Sequence, residues 1–249
     1  MFRSLVRSQQ WLSAKFDLLL PSDMRVDGNS HFITDFAPPY LQAGSTVIDI
    51  GGGKNPYIGP DKKSCLQLHV IGLDVDATEL AQAPPGAYDA TICADIQRYR
   101  GNGDADVVIC QSLLEHVENV SMAFAAIASM LKPGGKALIF VPSRNALFAR
   151  LNLLLPENLK RRLLFTIFPS TRRSQGFKSY YDQCTPAAFK SLAQKNGLIV
   201  AEARLYFISS YFSFFFPAYL LWRIWILLFR AISGEQSAET FSMVLIRQP

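Results

Sequence analysis

Short apolar runs alternate with helix-like stretches along most of the chain from residue 46 onward. Runs of this length, rich in β-branched residues, predict buried strands. The seven predicted strands are Thr46–Ile50, Leu68–Leu73, Asp89–Ala94, Ala105–Cys110, Lys136–Val141, Leu198–Ala203 and Phe241–Arg247. The helical pattern is clearest at Val120–Leu131, which Lys132-Pro133-Gly134-Gly135 should end, and after Thr185, which should cap a helix. This alternation predicts an α/β fold with a doubly wound, mostly parallel sheet and ligands at the carboxyl ends of its strands.

Two stretches outside this alternation look like amphipathic helices. Residues 1–20 have the spacing of a helix that ends before Pro21, and packing on its own domain is favoured over a membrane or substrate lid. Leu147–Arg173 combines a large apolar face with basic side chains, including the cluster Lys160 to Arg162. That composition is typical of an interfacial helix on anionic lipid, and recognition of an acidic or polysaccharide substrate is the alternative.

A third apolar stretch, Leu205–Ile232, is long enough to suggest a membrane span. Pro217, Arg223 and Arg230 interrupt it, however. The chain must return to the same side of the sheet before Phe241, and two crossings would need about 40 apolar residues. We therefore expect a shallow hairpin at the membrane surface, held partly by attraction of Arg223 and Arg230 to anionic headgroups. An oligomer interface or a closed substrate cap is the alternative use of so many aromatic side chains.

A single domain with hydrophobic helical insertions accounts for the 249 residues. It divides into an N-terminal helical cap (1–45), a ligand-binding core (46–146), a basic amphipathic insertion (147–180), the remainder of the core (181–204 and 240–249) and a hydrophobic membrane-facing insertion (205–239).

Composition strengthens the expectation of membrane contact. Hydrophobic residues make up 49% and charged residues 18% of the chain, whose net charge is +5. This charge suits anionic lipid or nucleic acid, but the basic residues are interleaved with leucines rather than stacking aromatics, which disfavours nucleic acid. Four cysteines without C-x-x-C spacing predict a reducing compartment, and the N-terminal residues lack signal-peptide features. We expect a cytoplasmic protein, bound peripherally to the inner or plasma membrane.

The most informative stretch is a predicted strand that ends in three consecutive glycines, Gly51, Gly52 and Gly53. Such glycines predict positive φ or close approach of the backbone to a ligand, and a turn without a ligand is the alternative. A dinucleotide is disfavoured because the third glycine of the pyrophosphate fingerprint would fall where Pro56 stands. A nucleoside without pyrophosphate remains. The carboxylate of Asp49 suits the cationic amino and sulfonium groups of S-adenosylmethionine.

Acidic residues also end the second and third predicted strands. Asp74, followed by Val75, lies about 20 residues after the glycine turn, where a carboxylate can accept hydrogen bonds from both ribose hydroxyls of an adenosine. Asp76 is the competing acid, and it is expected to cap the helix that follows. Asp95 and Ile96 close the third strand, where a solvated turn aspartate is the alternative to a ligand contact.

These motifs resemble those of class I S-adenosylmethionine-dependent methyltransferases, whose first motif is acid-x-Gly-x-Gly. The resemblance implies a Rossmann-like, seven-stranded sheet with an antiparallel last strand. It also implies that Asp95 hydrogen-bonds the adenine amino group beside Ile96, and that Gln111 and Ser112 lie beside the methionine part of the cofactor. The continuation after the glycines, through Asn-Pro-Tyr, is similar to a subset among surface-polysaccharide and lipid-pathway methyltransferases.

Glu115 and His116 are the candidate catalytic residues. Methyl transfer needs in-line attack, and often the acceptor must lose a proton, so a histidine at a strand's carboxyl end is a candidate general base. The structural alternative is that the Glu-His pair holds the helix start against the sheet. Some quinone O-methyltransferases in this family carry a further glutamate three positions earlier and use the cluster for a metal. Ser112 stands there instead, so no metal site is predicted.

The sequence therefore predicts a methyltransferase that acts on an oxygen of a lipid-linked or surface-glycan-pathway acceptor at the membrane. A quinone-like or other small hydrophobic acceptor is the alternative within the class. A catalytically silent membrane adaptor of the same fold is the alternative outside it. The expected partners are a hydrophobic acceptor and an anionic membrane surface, with no nucleic acid, and a homodimer is the competing use of the apolar insertions.

Overall fold

The computed structural model describes residues 2–156, 177–208 and 212–249. The described strands are β1 (Thr46–Ile50), β2 (His69–Asp74), β3 (Ala90–Cys93), β4 (Ala105–Gln111), β5 (Leu131–Pro142), β6 (Leu198–Tyr206) and β7 (Thr240–Arg247). They form one sheet in the order β3-β2-β1-β4-β5-β7-β6. Strand β7 runs antiparallel to both β5 and β6, and the pairs among β1 to β5 are parallel. The predicted α/β fold with an antiparallel last strand is confirmed.

Helices cover both faces of this sheet. The described helices are α1 (Phe2–Asp17), α2 (Gly28–His31), α3 (Pro60–Leu66), α4 (Ala77–Ala81), α5 (Val120–Met130), α6 (Leu147–Leu154), α7 (Pro186–Lys195) and α8 (Phe216–Ser233). The side chain of Thr185 accepts a hydrogen bond from the backbone N–H of Ala188, so the predicted cap of α7 is confirmed. The prediction that Asp76 caps the helix after β2 is confirmed as well, because its carboxylate accepts from the N–H of Thr78.

Strand β5 begins earlier than the sequence pattern predicts. Helix α5 is followed at once by Leu131, which pairs with Ala105. The register then shifts over Lys132–Gly135, which the sequence predicted to be a turn outside the strand. Gly134 adopts a φ of +78° within this bulge, a conformation that costs glycine little. The prediction was wrong because breaker residues can end a helix and bulge a strand at the same place.

Alternate side chains of the central strands supply two cores, one on each face. Ile48 and Ile50 of β1 pack with α5 and α7 in the first core. Val47 packs on the other face with Phe32, whose ring lies 5.7 Å from that of Phe140. The segment around α2 therefore covers the second face of the sheet. Asp49 points to the same face as Val47 because side chains alternate along a strand.

The N-terminal and C-terminal apolar segments pack on each other. Helix α1 contacts α8, and the hydroxyl of Ser13 donates a hydrogen bond to the carbonyl of Ser213. The favoured prediction for residues 1–20, a helix packed on its own domain, is thus confirmed. The expected hairpin is wrong: between β6 and β7 the described residues contain one 18-residue helix, α8, followed by a short 3₁₀ turn.

Arg223 does not face solvent, contrary to its predicted role in binding anionic headgroups. Its side chain is 0% exposed, and its Nε lies 3.0 Å from Oδ1 of Asp17. Its terminal nitrogens donate to the backbone carbonyls of Phe207 and Met24. The guanidinium therefore joins the two helices of the α1–α8 pair. Arg230 is partly exposed and pairs with Asp23. The basic cluster Lys160 to Arg162 lies outside the described residues, as does most of the predicted insertion 147–180.

Candidate active site

A cavity of about 340 Å³ opens at the carboxyl ends of β1, β2 and β4. It lies within the size range of small-molecule sites. The predicted site residues that line it are Asp49, Gly51, Gly52, Gly53, Asp74, Gln111 and Ser112. Sequence reasoning missed other lining residues, among them Asn29, Asn55, Tyr57, Glu79 and Phe177. Hydrophobic patterns gave no signal for these because they lie on loops or on the short helices α2 and α4.

The glycine turn is built from residues that leave no room for side chains. Gly51 has a φ of +75°, and a Cβ atom there would lie 2.7 Å from Cδ1 of Leu113. Gly53 has a φ of +47°, and its Cβ would lie 3.1 Å from Oδ2 of Asp74. The N–H of Gly51 donates to the carbonyl of Leu73, which ties the turn to β2. The backbone thus forms the cavity floor, as the sequence predicted.

Asp49 is buried beneath this turn, and little of it is exposed to the cavity. Its Oδ2 accepts a hydrogen bond from the backbone N–H of Tyr57 at 2.8 Å and another from the hydroxyl of Tyr88 at 3.4 Å. Burial raises the pKa of Asp49 to about 6, although both hydrogen bonds act in the opposite direction. The side chain is 2% exposed, so it supports the turn in addition to lining the cavity. The tyrosine contacts were not predicted, because they join β1 to two separate loops.

Asp74 occupies the position that its spacing predicted. Its Oδ1 accepts from the N–H of Asp76, and its side chain reaches the cavity beside Gly53. Burial is the main cause that raises the pKa of this carboxyl. Glu79 adds a further carboxylate to the cavity and pairs with Lys54 at 2.9 Å.

Three predicted cofactor contacts do not line this cavity. Val75 is 58% exposed, and Ile96 is buried in the first core. Asp95 accepts hydrogen bonds from the backbone and side chain of Gln97, which is the geometry of a turn aspartate. Asp95 and Ile96 follow β3, and Val75 follows the neighbouring strand β2. Their contacts with an adenine stay predictions.

Gln111 and Ser112 form the wall at the end of β4. The side-chain amide of Gln111 donates to Oδ1 of Asn29 at 2.8 Å, so α2 closes over the cavity from the other face. Ser112 has a φ of +51°, an uncommon conformation for a residue with a side chain. Its N–H donates to the carbonyl of Phe140, which holds that conformation. Strained backbone of this kind is concentrated at functional sites.

Glu115 and His116 lie behind this wall and do not line the cavity. Burial raises the pKa of Glu115 to about 8, and its Oε2 has no hydrogen-bond partner among the described residues. Nδ1 of His116 lies 3.1 Å from the carbonyl oxygen of Lys178, and its Nε2 lies 3.9 Å from Oε1 of Glu115. Burial lowers the pKa of His116, so the ring is neutral at pH 7. The ring contacts the segment that carries Phe177 into the cavity.

The electrostatics of the cavity select its ligand. Asp49, Asp74 and Glu79 line it, and no lysine or arginine is among the described lining residues. A pyrophosphate would meet no positive charge there, whereas a cationic sulfonium and amino group would be attracted. A glycine turn at a parallel-strand end, with an acid on the next strand, suits an adenosine. Fold and site together define a Rossmann-like domain that binds S-adenosylmethionine.

The chain belongs to the methyltransferase-domain family, whose pattern matches residues 24–203. It is 27% identical over 169 residues to a ubiquinone biosynthesis O-methyltransferase of Cupriavidus pinatubonensis, a match that covers 65% of this chain and 63% of that protein. It is also 31% identical over 104 residues to tRNA (carboxymethyluridine(34)-5-O)-methyltransferase ALKBH8 of Macaca fascicularis, which covers 41% of this chain and 15% of that protein. The chain thus spans less than two thirds of the length of these relatives.

Solved structures show the same fold. A phosphoethanolamine N-methyltransferase 2 of Haemonchus contortus, in complex with S-adenosyl-L-methionine, aligns with a TM-score of 0.54 and 18% identity over 100% of this chain and 60% of that one. A SAM-dependent methyltransferase of Archaeoglobus fulgidus aligns with a TM-score of 0.54 and 14% identity over 92% and 99%. The family match makes the chain a methyltransferase domain, and its acid-lined cavity at the glycine turn suits S-adenosylmethionine as cofactor.

Proposed function

We propose that the protein methylates an oxygen of a hydrophobic, lipid-linked or glycan-pathway acceptor at an anionic membrane surface. Relatives named ubiquinone biosynthesis O-methyltransferases support oxygen as the acceptor atom. The exposed apolar side chains of the α1–α8 pair support the membrane, and this observation carries the proposal.

The outer face of α8 is apolar and exposed. Its exposed residues include Leu221, Ile224, Trp225, Leu228 and Ile232. The helical stretch Phe216–Ser237 is long and apolar enough to cross a membrane by length and composition, and only 22% of its apolar window is buried. A core helix of a water-soluble protein would have this face covered, so an apolar environment fits it better than water.

Helix α1 repeats this arrangement. Its exposed residues include Leu5, Trp11 and Leu12, and the exposed Leu18 and Leu19 follow it directly. Its inner face instead buries Ser13 and Asp17. Lys15 lies among the exposed residues, with Nζ 5.6 Å from the ring centre of Trp11. Exposed leucines and a tryptophan beside a basic side chain match a helix that lies in a lipid interface.

The chain's own residues prepare the acceptor and cofactor for in-line transfer. Bound S-adenosylmethionine supplies an electrophilic methyl group on a sulfonium. Asp74 binds its ribose hydroxyls, and Asp95 its adenine, while Gln111 and Ser112 orient its methionine part. With the cofactor bound, a bond from the acceptor oxygen to the methyl carbon would form as the carbon–sulfur bond breaks, and the acceptor's proton would pass to a base, for which His116 is the candidate. Asp74, Gln111 and Ser112 line the cavity, whereas the role of Asp95 rests on the family resemblance alone.

Vesicle binding tests the membrane part of the proposal. We expect the protein to co-sediment with phosphatidylcholine–phosphatidylglycerol vesicles and to loosen in high salt, because Lys15 and Arg7 each contribute about 1 kcal/mol at an anionic surface. The double substitution Leu221→Gln and Leu228→Gln should weaken this binding at least tenfold without changing S-adenosylmethionine affinity. Ile199→Gln is the matched control, since this exposed residue lies on β6, away from the α1–α8 pair.

A wild-type protein that stays in the supernatant at low salt would contradict the membrane proposal. Sedimentation velocity then tests the competing use of the same face, a homodimer interface. A cytoplasmic, peripheral location follows only if vesicle binding is reversible without detergent.

A quinone-like acceptor is the second candidate, and the relatives named for ubiquinone biosynthesis favour it. Incubation of lipid extracts with methyl-labelled cofactor, followed by mass spectrometry, distinguishes a labelled quinone from a labelled lipid-linked glycan. Cofactor binding in titration calorimetry without label transfer to any extract would instead support a silent adaptor.

The general-base role of His116 has its own test. His116→Ala should leave cofactor affinity unchanged, and loss of a base typically lowers turnover 10²–10⁴-fold. If His116 only positions the segment of Phe177, His116→Asn should restore turnover, because an amide can still bond the carbonyl of Lys178 but cannot accept the proton.

A further inference from the structure

A second cavity, of about 270 Å³, lies between the α1–α8 pair and the segment before α2. Ser13, Ala14 and Asp17 of α1 line one side, and Asp27, Ile208 and Tyr219 line others. We propose that this cavity binds an uncharged, hydroxyl-bearing head of the methyl acceptor. This inference rests on the proposed function and names the subsite for its acceptor.

The same short helical turn bounds both cavities. Asp27 is the N-cap of α2 and lines the second cavity, while Asn29, two residues later, lines the cofactor cavity. Gly28 between them has no room for a side chain, because its Cβ would lie 2.4 Å from Oγ1 of Thr240 and 2.6 Å from Cδ2 of Tyr206. The turn is thus pressed onto β6 and β7. A head bound in the second cavity is separated from the cofactor cavity by this one turn, so the oxygen that is methylated belongs to a part of the acceptor beyond this head.

The walls select against anions. Asp17 and Asp27 both line the cavity, and its described lining residues include no lysine or arginine. Asp17 already accepts from the hydroxyl of Tyr219 and pairs with Arg223, whereas Asp27 is exposed and uses Oδ1 for the N–H of Ser30. Because Arg223 neutralises Asp17, the exposed carboxylate of Asp27 is the group that can accept a hydrogen bond from a hydroxyl and repel a phosphate. Ala14, Ile208 and the Tyr219 ring supply apolar contact for the start of a tail.

The position of the second cavity also accounts for the apolar outer faces of α1 and α8. Their inner faces wall the second cavity, and their outer faces present leucines and tryptophans to the surroundings. An amphiphilic acceptor can therefore keep its tail in the lipid while its head enters the cavity. No part of the acceptor then has to cross water.

Two amphiphiles of equal chain length test this selection. Octyl glucoside carries an uncharged hydroxyl head, and octyl phosphate carries an anionic one. Below their micelle concentrations, titration calorimetry should show saturable binding of octyl glucoside and at least tenfold weaker binding of octyl phosphate. Asp27→Asn, which keeps the helix cap, should reduce this ratio severalfold. Equal affinities in the wild type would overturn the proposal.

Blocking the cavity locates the binding. Ala14→Trp should weaken octyl glucoside at least tenfold, whereas Ser8→Trp, on the exposed side of α1, should not change it. S-adenosylmethionine affinity should be unchanged in both variants, which shows that they are folded, and neither variant should lose vesicle binding. Unchanged octyl glucoside affinity in folded Ala14→Trp overturns the cavity proposal while leaving the membrane proposal intact. If the wild type does not bind vesicles, the membrane proposal is wrong, but the octyl glucoside test still decides whether the cavity binds a hydroxyl-bearing head.

Discussion

The cofactor cavity and the α1–α8 pair both bury carboxylates, but they treat them in opposite ways. Asp49 in the cavity has hydrogen-bond donors and no basic partner, and burial raises its pKa to about 6. Asp17 in the α1–α8 pair is matched with the fully buried Arg223. A site that binds a cation keeps its negative charge available. The α1–α8 pair instead neutralises its buried carboxylate with a buried arginine.

The largest effect should come from removing the cation of the α1–α8 pair. Arg223→Met leaves Asp17 buried without its partner, and such a break typically costs 3–5 kcal/mol. We expect a loss of this size in the free energy of unfolding, measured by urea denaturation. Arg230→Met is the matched control, because its partly exposed pair with Asp23 should contribute less than about 1 kcal/mol. Equal losses of unfolding free energy in the two variants would show that Asp17 does not depend on a buried cation, and its difference from Asp49 would disappear.

The pH dependence of stability should report on Asp49, the carboxylate without a basic partner. The folded-state pKa of Asp49 is raised from 3.8 to about 6, so its protonated form favours folding. That contribution is complete below the ordinary pKa and is lost as pH rises through about 6. Relative to Asp49→Asn, the wild type should lose up to about 3 kcal/mol between pH 4 and pH 7. Parallel stability curves would show that Asp49 is not protonated in the folded protein.

Cofactor affinity should respond to Asp74 and not to its neighbour. Asp74→Ala removes hydrogen bonds to a charged acceptor, a loss of roughly 2–3 kcal/mol or about 30- to 150-fold in affinity. Asp76→Ala removes only the cap of α4, which should cost about 1 kcal/mol of stability and leave affinity within threefold. Titration calorimetry with S-adenosylmethionine compares the two. Loss of affinity in both would mean that α4, rather than the carboxylate, holds the cofactor.

The smallest effect separates backbone strain from close packing in the glycine turn. Gly44 and Gly51 both have positive φ, but only a Cβ at Gly51 would meet a neighbour, Leu113. Gly44→Ala should cost about 1 kcal/mol from strain alone, and Gly51→Ala about 1 kcal/mol more. We expect only the latter to lower cofactor affinity. Thermal unfolding and calorimetry measure both effects.

The contrast also explains which features sequence patterns could predict. Strands, the glycine turn and Asp74 follow from local periodicity and spacing, and the structure has them where the pattern places them. Arg223 was assigned to a lipid surface because an arginine in an apolar run looks exposed. Its partner Asp17 lies 206 residues away, so the local sequence contains no sign of the pair. Composition detects an apolar segment but not which of its faces is buried.

The pairing of α1 with α8 also has a consequence for biosynthesis. Strands β1, β2 and β4 have their partners within the first 142 residues, so that part of the sheet can pair while synthesis continues. Asp17 must wait for Arg223, nearly the whole chain later. Until then the leucines and Trp11 of α1 have no cover on any side, and a nascent chain in that state is a target for chaperones or for early capture by lipid. The first helix made is thus the last to dock.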